Sequence, residues 1–379
     1  MQRKYIVLIV IISVSIIFIS NQLTKTKEHT FEYGLVSSNS PGVSTKYANG
    51  FSINEKALRV LRPYPGGEPI EYVLYSGDEV PNTEANQRAL KVPVRSFVSA
   101  STTLLPYWEV LGVKEGLIGQ GAKSYVFEPE KLMAEDIGPG YNVNIEKILA
   151  LSPDVAFLYA SLPSELDLAK RLESLGIKVV LAGEYLENHP LGRVEWLNFF
   201  APLFGEHAEE RANEYVSSTV QKYEELRMLT ENVENRPEVI LNASWGGAWH
   251  VPGAQSLFVH FIRDAGGTYN LDSSDRSDGI PMNIESIFAK SGKADFWLNS
   301  SAWNSLSDGL REDSRYSLFK AFKDGNVYNN TRRTNSTGGN DFHEGGVLKP
   351  DIILADMISI LHPELIPNHE LYYYKKLFR

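Results

Sequence analysis

Two glutamates hold the same place in two copies of one motif. Glu146 lies in Asn144-Ile145-Glu146-Lys147-Ile148-Leu149-Ala150, and Glu285 in Asn283-Ile284-Glu285-Ser286-Ile287-Phe288-Ala289, about 140 residues further on. Each copy continues through a turn residue (Pro153 or Gly292) and an aspartate (Asp154 or Asp295) into a continuous apolar segment. At 3.6 residues per turn the apolar positions, Ile145, Ile148 and Leu149 or Ile284, Ile287 and Phe288, form a stripe, and the Glu one residue past the first Ile cannot share its direction. The pattern predicts two matched, exposed carboxylates. Their chemistry would be charge pairing at two points with something symmetric.

Other reactive side chains form weaker constellations. His250, His260 and His343, with Asp341 and Glu344 near the last, lack the i, i+4 pairing of a zinc helix, so no resident metal is expected. A Ser101, His343 and Asp341 triad has no G-x-S-x-G elbow to support it, because Gly246-Gly247 lacks the nucleophile and Asn335-Ser336-Thr337-Gly338 lacks the leading Gly. Gly119-Gln120-Gly121 is followed by Ser124 where a dinucleotide fingerprint needs its third Gly. The sequence therefore predicts no enzyme and no cofactor.

Composition narrows the class further. The 379 residues, 43% hydrophobic and 22% charged, match a globular protein of two or three domains. A formal charge of -10, with no basic stripe and only short pairs such as Lys170-Arg171 and Arg332-Arg333, argues against a nucleic-acid surface. With no Cys in the chain, disulfides, zinc-thiolate sites, iron-sulfur clusters and a lipid anchor on Cys are all excluded for this sequence; Ser20 stands about where a lipidated Cys would be. Arg3 and Lys4 precede an apolar run from Tyr5 to about Ser20, which reads as an export signal, cleaved or kept as a membrane tether.

The elements that must position these residues follow from periodicity. Residues 1–28 read as signal or anchor with the start of a linker, and 29–91 as a spacer and a β-hairpin-like extension around the Pro65-Gly66-Gly67 turn. From Val92 strands and helices alternate, which predicts an α/β fold with a largely parallel sheet covered on both faces. A first lobe is expected over 92–204, a second over 233–379, and between them a helix over 205–232. The spacing of Ala208, Ala212, Tyr215, Val216, Val220, Tyr223 and Leu226 marks that helix as amphipathic. Its core from Gly205 to Leu229 would be on the order of 36 Å long, enough to bridge two domains.

In parallel sheets, ligands meet the loops at the carboxyl ends of strands. Those loops carry Ser101, Thr102, Tyr125, Tyr141 and Tyr159 in the first half, and Trp245, Trp249, Trp303, Arg332 and Arg333 in the second. Aromatic faces with hydroxyl and guanidinium groups suit a large planar or catecholate ligand with anionic oxygens.

Four stretches resemble a known family: "NVNIEKILALSPDVAFLYA", "LESLGIKVVLAGEYLENHPLGRVEWLNFF", "VPGAQSLFVHFIRDAGG" and "GGVLKPDIILADMISILHPEL". From about Val92 to Leu365 the chain is similar to the class III periplasmic binding proteins, which serve ATP-driven importers of iron complexes, haem and cobalamin. The resemblance implies two Rossmann-like lobes joined by one long rigid helix, with the ligand in a cleft between them. It also implies docking on an inner-membrane ABC permease dimer through one Glu per lobe, here Glu146 and Glu285. The expected ligand is a ferric siderophore, with haem or cobalamin as alternatives, and the expected protein is a periplasmic monomer. The extension before Val92 lies outside the family pattern.

Overall fold

The structure is a computed structural model that describes residues 45–379 apart from 55, 56, 162, 246, 247 and 301, so the apolar run and most of the spacer lie outside the described residues. Packing divides the chain into two lobes: the residues up to Glu187 with Leu191–Val216, and Asn188–Pro190 with Ser217–Arg379.

Lobe one opens with β1 (Phe51–Asn54), β2 (Ala57–Val60), β3 (Ile70–Tyr75) and β4 (Gln87–Lys91) as one sheet. The first two pairings are antiparallel, while β3 and β4 are parallel. The expected hairpin is the antiparallel β2–β3 pair across the Pro65-Gly66-Gly67 turn, and β1 and β4 extend it to a four-stranded sheet. A parallel partner needs no tight turn, so the short run at Gln87–Lys91 gave no hairpin signal. There follow β5 (Phe97–Ser99), α1 (Leu105–Leu111), β6 (Leu117–Gln120), β7 (Glu135–Asp136), α2 (Ile145–Leu151), β8 (Val155–Leu158), α3 (Pro163–Ser174) and β9 (Val179–Leu181). Their five strands pair in the order β7-β6-β5-β8-β9, all parallel. Every residue of β5, β8 and β9 is buried, which is why β8 and β9 read as unbroken apolar runs.

The helix α4 (Pro190–Phe200) brings two buried acids into this lobe's account. Glu195 accepts the backbone N–H groups of Lys46, Tyr47 and Ala48 at 2.9, 2.8 and 2.6 Å. Just before α4, Glu187 accepts those of Asn49 and Gly50 at 3.0 and 2.7 Å, and the indole N–H of Trp196 at 2.9 Å. Both side chains are buried, yet each carboxylate is surrounded by donors, which is the condition for keeping charge inside a protein. Five consecutive peptide groups are thereby fixed where the spacer joins the lobe.

The helix α5 (Glu206–Leu229) contributes its first part to lobe one and the remainder to lobe two. Lobe two then comprises β10 (Val239–Leu241), β11 (Ser244–Trp245), β12 (Ala248–Val251), α6 (Leu257–Asp264), β13 (Ile280–Met282), α7 (Ile284–Ser291), β14 (Phe296–Leu298), α8 (Leu306–Glu312), α9 (Lys320–Lys323), β15 (Val327–Asn329), α10 (Pro350–Leu361) and β16 (Lys375–Lys376). Its main sheet runs β10-β14-β15-β16, parallel except for β16, and β11-β12-β13 form a small antiparallel sheet. Trp297 is central to the core. The Trp249 ring stacks on it at 5.1 Å, and Trp303 and Tyr316 meet it edge-on at 5.2 and 5.3 Å. The Trp249 N–H donates to the Leu241 carbonyl at 2.8 Å, and the Trp303 N–H to Glu312 at 2.8 Å.

The two copies of the repeat fold for the same local reasons. Asn144 and Asn283 accept the N–H of Lys147 and Ser286 at 3.0 and 2.8 Å, capping α2 and α7. The aspartates tie each following strand to its neighbour: Asp154 accepts the N–H groups of Arg95 and Ser96 before β5, and Asp295 that of Glu238 before β10, all at 2.9 Å. Ile148 and Ile287 are fully buried, whereas Leu149 and Phe288 are 38% and 42% exposed and so fall outside the expected apolar stripe. A helix of two turns presents only one narrow line to its sheet.

Glu195→Ala leaves three peptide groups without their acceptor and lowers stability by about 2–4 kcal/mol in urea denaturation. Trp249→Ala opens the lobe-two core and costs about 3–5 kcal/mol; a loss under about 1 kcal/mol would show that the indole is not part of it.

Candidate functional site

At the carboxyl edge of the lobe-one sheet, several loops converge on the carbonyl of Ala100. A Cβ on Gly140 would lie 2.3 Å from that oxygen, and one on Gly121 2.7 Å, so glycine at both positions allows an approach no other residue permits. The same point on Gly140 is 3.5 Å from the Tyr159 hydroxyl. Residues following β5, β6 and β8 and the turn before α2 are thus brought together. They carry Ser101, Thr102 and Tyr159, with Tyr141 beside Gly140; Tyr125 closes a short 3-10 turn at Lys123–Tyr125. Tyr141 is exposed, while Tyr159, Tyr125, Ser101 and Thr102 are half-buried.

The chemistry at this edge is that of neutral donors. Burial, followed by the charge of Glu165 and by Tyr141, pushes the Tyr159 phenol well above the usual tyrosine range, so it stays protonated. The Tyr159 and Tyr185 rings lie 6.4 Å apart, and the Tyr185 hydroxyl donates to the Ala160 carbonyl at 2.8 Å. Ser101 and Thr103 hydroxyls share a 2.8 Å hydrogen bond, and Thr103 donates to Glu184 at 3.1 Å. Burial raises the Glu184 carboxyl above its ordinary range, opposed chiefly by the charge of Arg193. Arg193 in turn donates to the Tyr185 carbonyl at 3.0 Å. Sequence reasoning missed Glu184, Arg193 and Tyr185. The available signal was three acids, Glu184, Glu187 and Glu195, close together with Arg193 between the apolar runs at Val179–Ala182 and Trp196–Leu197.

In lobe two the expected aromatic residues are placed differently. Trp249 and Trp303 are 1% and 3% exposed and belong to the core around Trp297, which corrects their reading as ligand contacts. The physical reason is register: along β12, Trp249 and Val251 face inward while Ala248 and His250 alternate outward. Trp245 is described through its backbone, which pairs with Ala248. Arg332 is exposed. The Arg333 guanidinium is held by Asp341 at 2.6 Å and lies 4.5 Å over the Tyr372 ring, so it is engaged within its own lobe. Asp341 is therefore an ion-pair partner of Arg333, and His343 is exposed beside Phe342. Burial holds His250 and His260 below the usual histidine range. Among the described residues no group of three or more His, Cys, Asp or Glu is placed to hold a metal ion. A groove of about 500 Å³ lined by Lys222, Leu226, Asp351 and His369 has none of the candidates in its lining.

The two repeat glutamates both stand exposed in the first turn of their helices. Glu146 has no side-chain hydrogen bond or ion pair with another described residue. Glu285 pairs with Arg315, whose guanidinium is also held by Asp313 at 2.9 Å.

Comparison with known proteins places this geometry. The profile of the family described as "Periplasmic binding protein" matches residues 99–333. An uncharacterised lipoprotein of Methanocaldococcus jannaschii is 29% identical over 309 residues, covering 77% of this chain and 70% of that protein. A possible iron-binding periplasmic solute-binding protein from Staphylococcus epidermidis superposes with a TM-score of 0.57 at 15% identity, over 71% of this chain and 99% of its own. The periplasmic haem-binding protein HutB of Vibrio cholerae gives 0.54 at 18% identity, over 68% of this chain and 98% of its own. These likenesses show the fold, an α/β chain with parallel sheets in two lobes. The chain belongs to the periplasmic binding protein family, whose profile covers more than half of it.

Proposed function

We propose that this protein captures a ferric siderophore and delivers it to its permease. The observation that carries the reading is the gathering of Ser101, Thr102, Tyr141 and Tyr159 around the Ala100 carbonyl at the carboxyl edge of a parallel sheet. Hydroxyl donors and a phenol face suit the oxygen-rich rim of an iron chelate. Bare ferric ion would need several anionic ligands on one centre, and among the described residues no group of three or more His, Cys, Asp or Glu is placed to hold a metal ion, so iron already wrapped in a chelator fits better. Tyr125 is a further proposed contact in lobe one; in lobe two, Trp245 and the exposed Arg332 are proposed contacts by their place after strands. Haem is a second reading, favoured because the Vibrio cholerae structural neighbour is named a haem-binding protein; cobalamin is a third within the family resemblance.

Delivery would use Glu146 and Glu285 as paired docking carboxylates, one per lobe, each meeting a guanidinium of the permease. We further read the run from Tyr5 to about Ser20 as an export signal or membrane tether. The Methanocaldococcus relative is named a lipoprotein, but this sequence has no Cys to carry a thioether-linked lipid, so an uncleaved apolar run is the tether consistent with its chemistry.

Tyr159→Phe removes one donor and weakens ferric siderophore binding by about tenfold in calorimetric titration, with the melting temperature little changed. Glu146→Ala combined with Glu285→Ala abolishes uptake into cells while leaving ligand affinity intact; unchanged uptake would refute the docking role.

A further inference from the structure

We propose that each docking point is a pair of side chains, a carboxylate and a large apolar residue one turn on, Glu146 with Leu149 and Glu285 with Phe288. The partner surface they fit is a permease face that offers a guanidinium beside an apolar residue. The inference rests on the docking reading above and deepens it.

The observation is a departure from the sequence pattern that occurs twice. Helical spacing assigns Leu149 and Phe288 to the buried stripe, yet they are 38% and 42% exposed while Ile148 and Ile287 are fully buried. A single exposed apolar residue is ordinary. Two at the same repeat position, each three residues after a matched exposed glutamate, are a shared surface, because i and i+3 lie on one helix face. In lobe two the surface is wider: Phe288 lies 5.2 Å from Phe319, and the neighbouring Leu318 is 50% exposed.

The two points also differ in charge. Glu146 is uncompensated by any described partner, whereas Arg315 pairs with Glu285 and Asp313 together. An incoming guanidinium therefore meets a weaker attraction at lobe two, and apolar contact through Phe288 supplies more of the hold there. Carboxylates steer and orient the encounter, and the apolar residues lengthen its lifetime.

The test uses the full chain in its native cell and needs no ligand. A photoreactive phenylalanine is placed at Leu149, at Phe288 and, as a control, at Leu175, which is 47% exposed. The first two positions are expected to give adducts identified by mass spectrometry as the ABC permease, lost in the Glu146→Ala, Glu285→Ala background, and the control none. With the photoreactive residue at exposed Ala150 instead, Leu149→Gln with Phe288→Gln lowers the adduct yield by about tenfold at unchanged melting temperature. Adducts from Ala150 that are indifferent to these glutamines, yet lost with the two alanines, would overturn the apolar role and leave the docking reading standing. Adducts that persist in the alanine background would overturn both.

Discussion

Parallel pairing in the two main sheets is the constraint on which the rest of the structure depends. Parallel strands cannot be joined by a tight turn, so every connection must cross back over a face, and both faces become covered. The central strands β8, β9, β10 and β14 are then apolar throughout, and the carboxyl ends of the strands are the places where polar loops collect. In lobe one that logic is visible at Ala100: the chain leaves β5 there, and Gly121 and Gly140 bring two further loops against its carbonyl. Hydroxyls and a protonated phenol come with them. What gathers at the sheet edge is a set of neutral donors, suited to holding a molecule.

The repeat shows how one local solution serves two lobes. An Asn fixes where the helix begins, an Ile seats it, and an Asp binds the backbone that leads into the neighbouring strand. With those three residues in place, the Glu one position past the first Ile projects outward in both copies. The proposed docking carboxylates are thus a by-product of helix and strand registration and need no special backbone. Lobe one departs from this economy at its entry segment, where Glu187 and Glu195 hold five successive peptide groups. A spacer that ends on so many charge-assisted hydrogen bonds meets the lobe at one fixed point, whatever the segment before it does.

Much of the fold was legible because periodicity reports burial directly. The unbroken runs at Val155–Leu158 and Phe296–Leu298 could be little else than buried strands, and the matched Asn, Glu and Asp positions revealed the repeat. The candidate site was less legible. Position after a strand says that a residue is near the sheet edge, but it does not say which way the next short strand faces. Trp249 was misread for that reason: an antiparallel pairing, invisible in sequence, turns it onto Trp297. Leu149 and Phe288 were misread because a stripe drawn by helical period is wider than a two-turn helix can bury. Glu195 and its partners at Lys46–Ala48 lie almost 150 residues apart, beyond any local pattern. Glu184 and Arg193 were hidden likewise, since a buried acid is recognised by what surrounds it.

The central claim is that neutral donors at a parallel sheet edge hold a chelated metal. Equilibrium titration of the full-length protein against a ferric siderophore, haem, cobalamin and uncomplexed ferric ion, side by side, tests it most directly. The account predicts saturable binding of the ferric siderophore at or below about micromolar concentration, the range in which a capture protein is useful, and no binding of the bare ion. Saturation by uncomplexed ferric ion, or by none of the chelates, would contradict it.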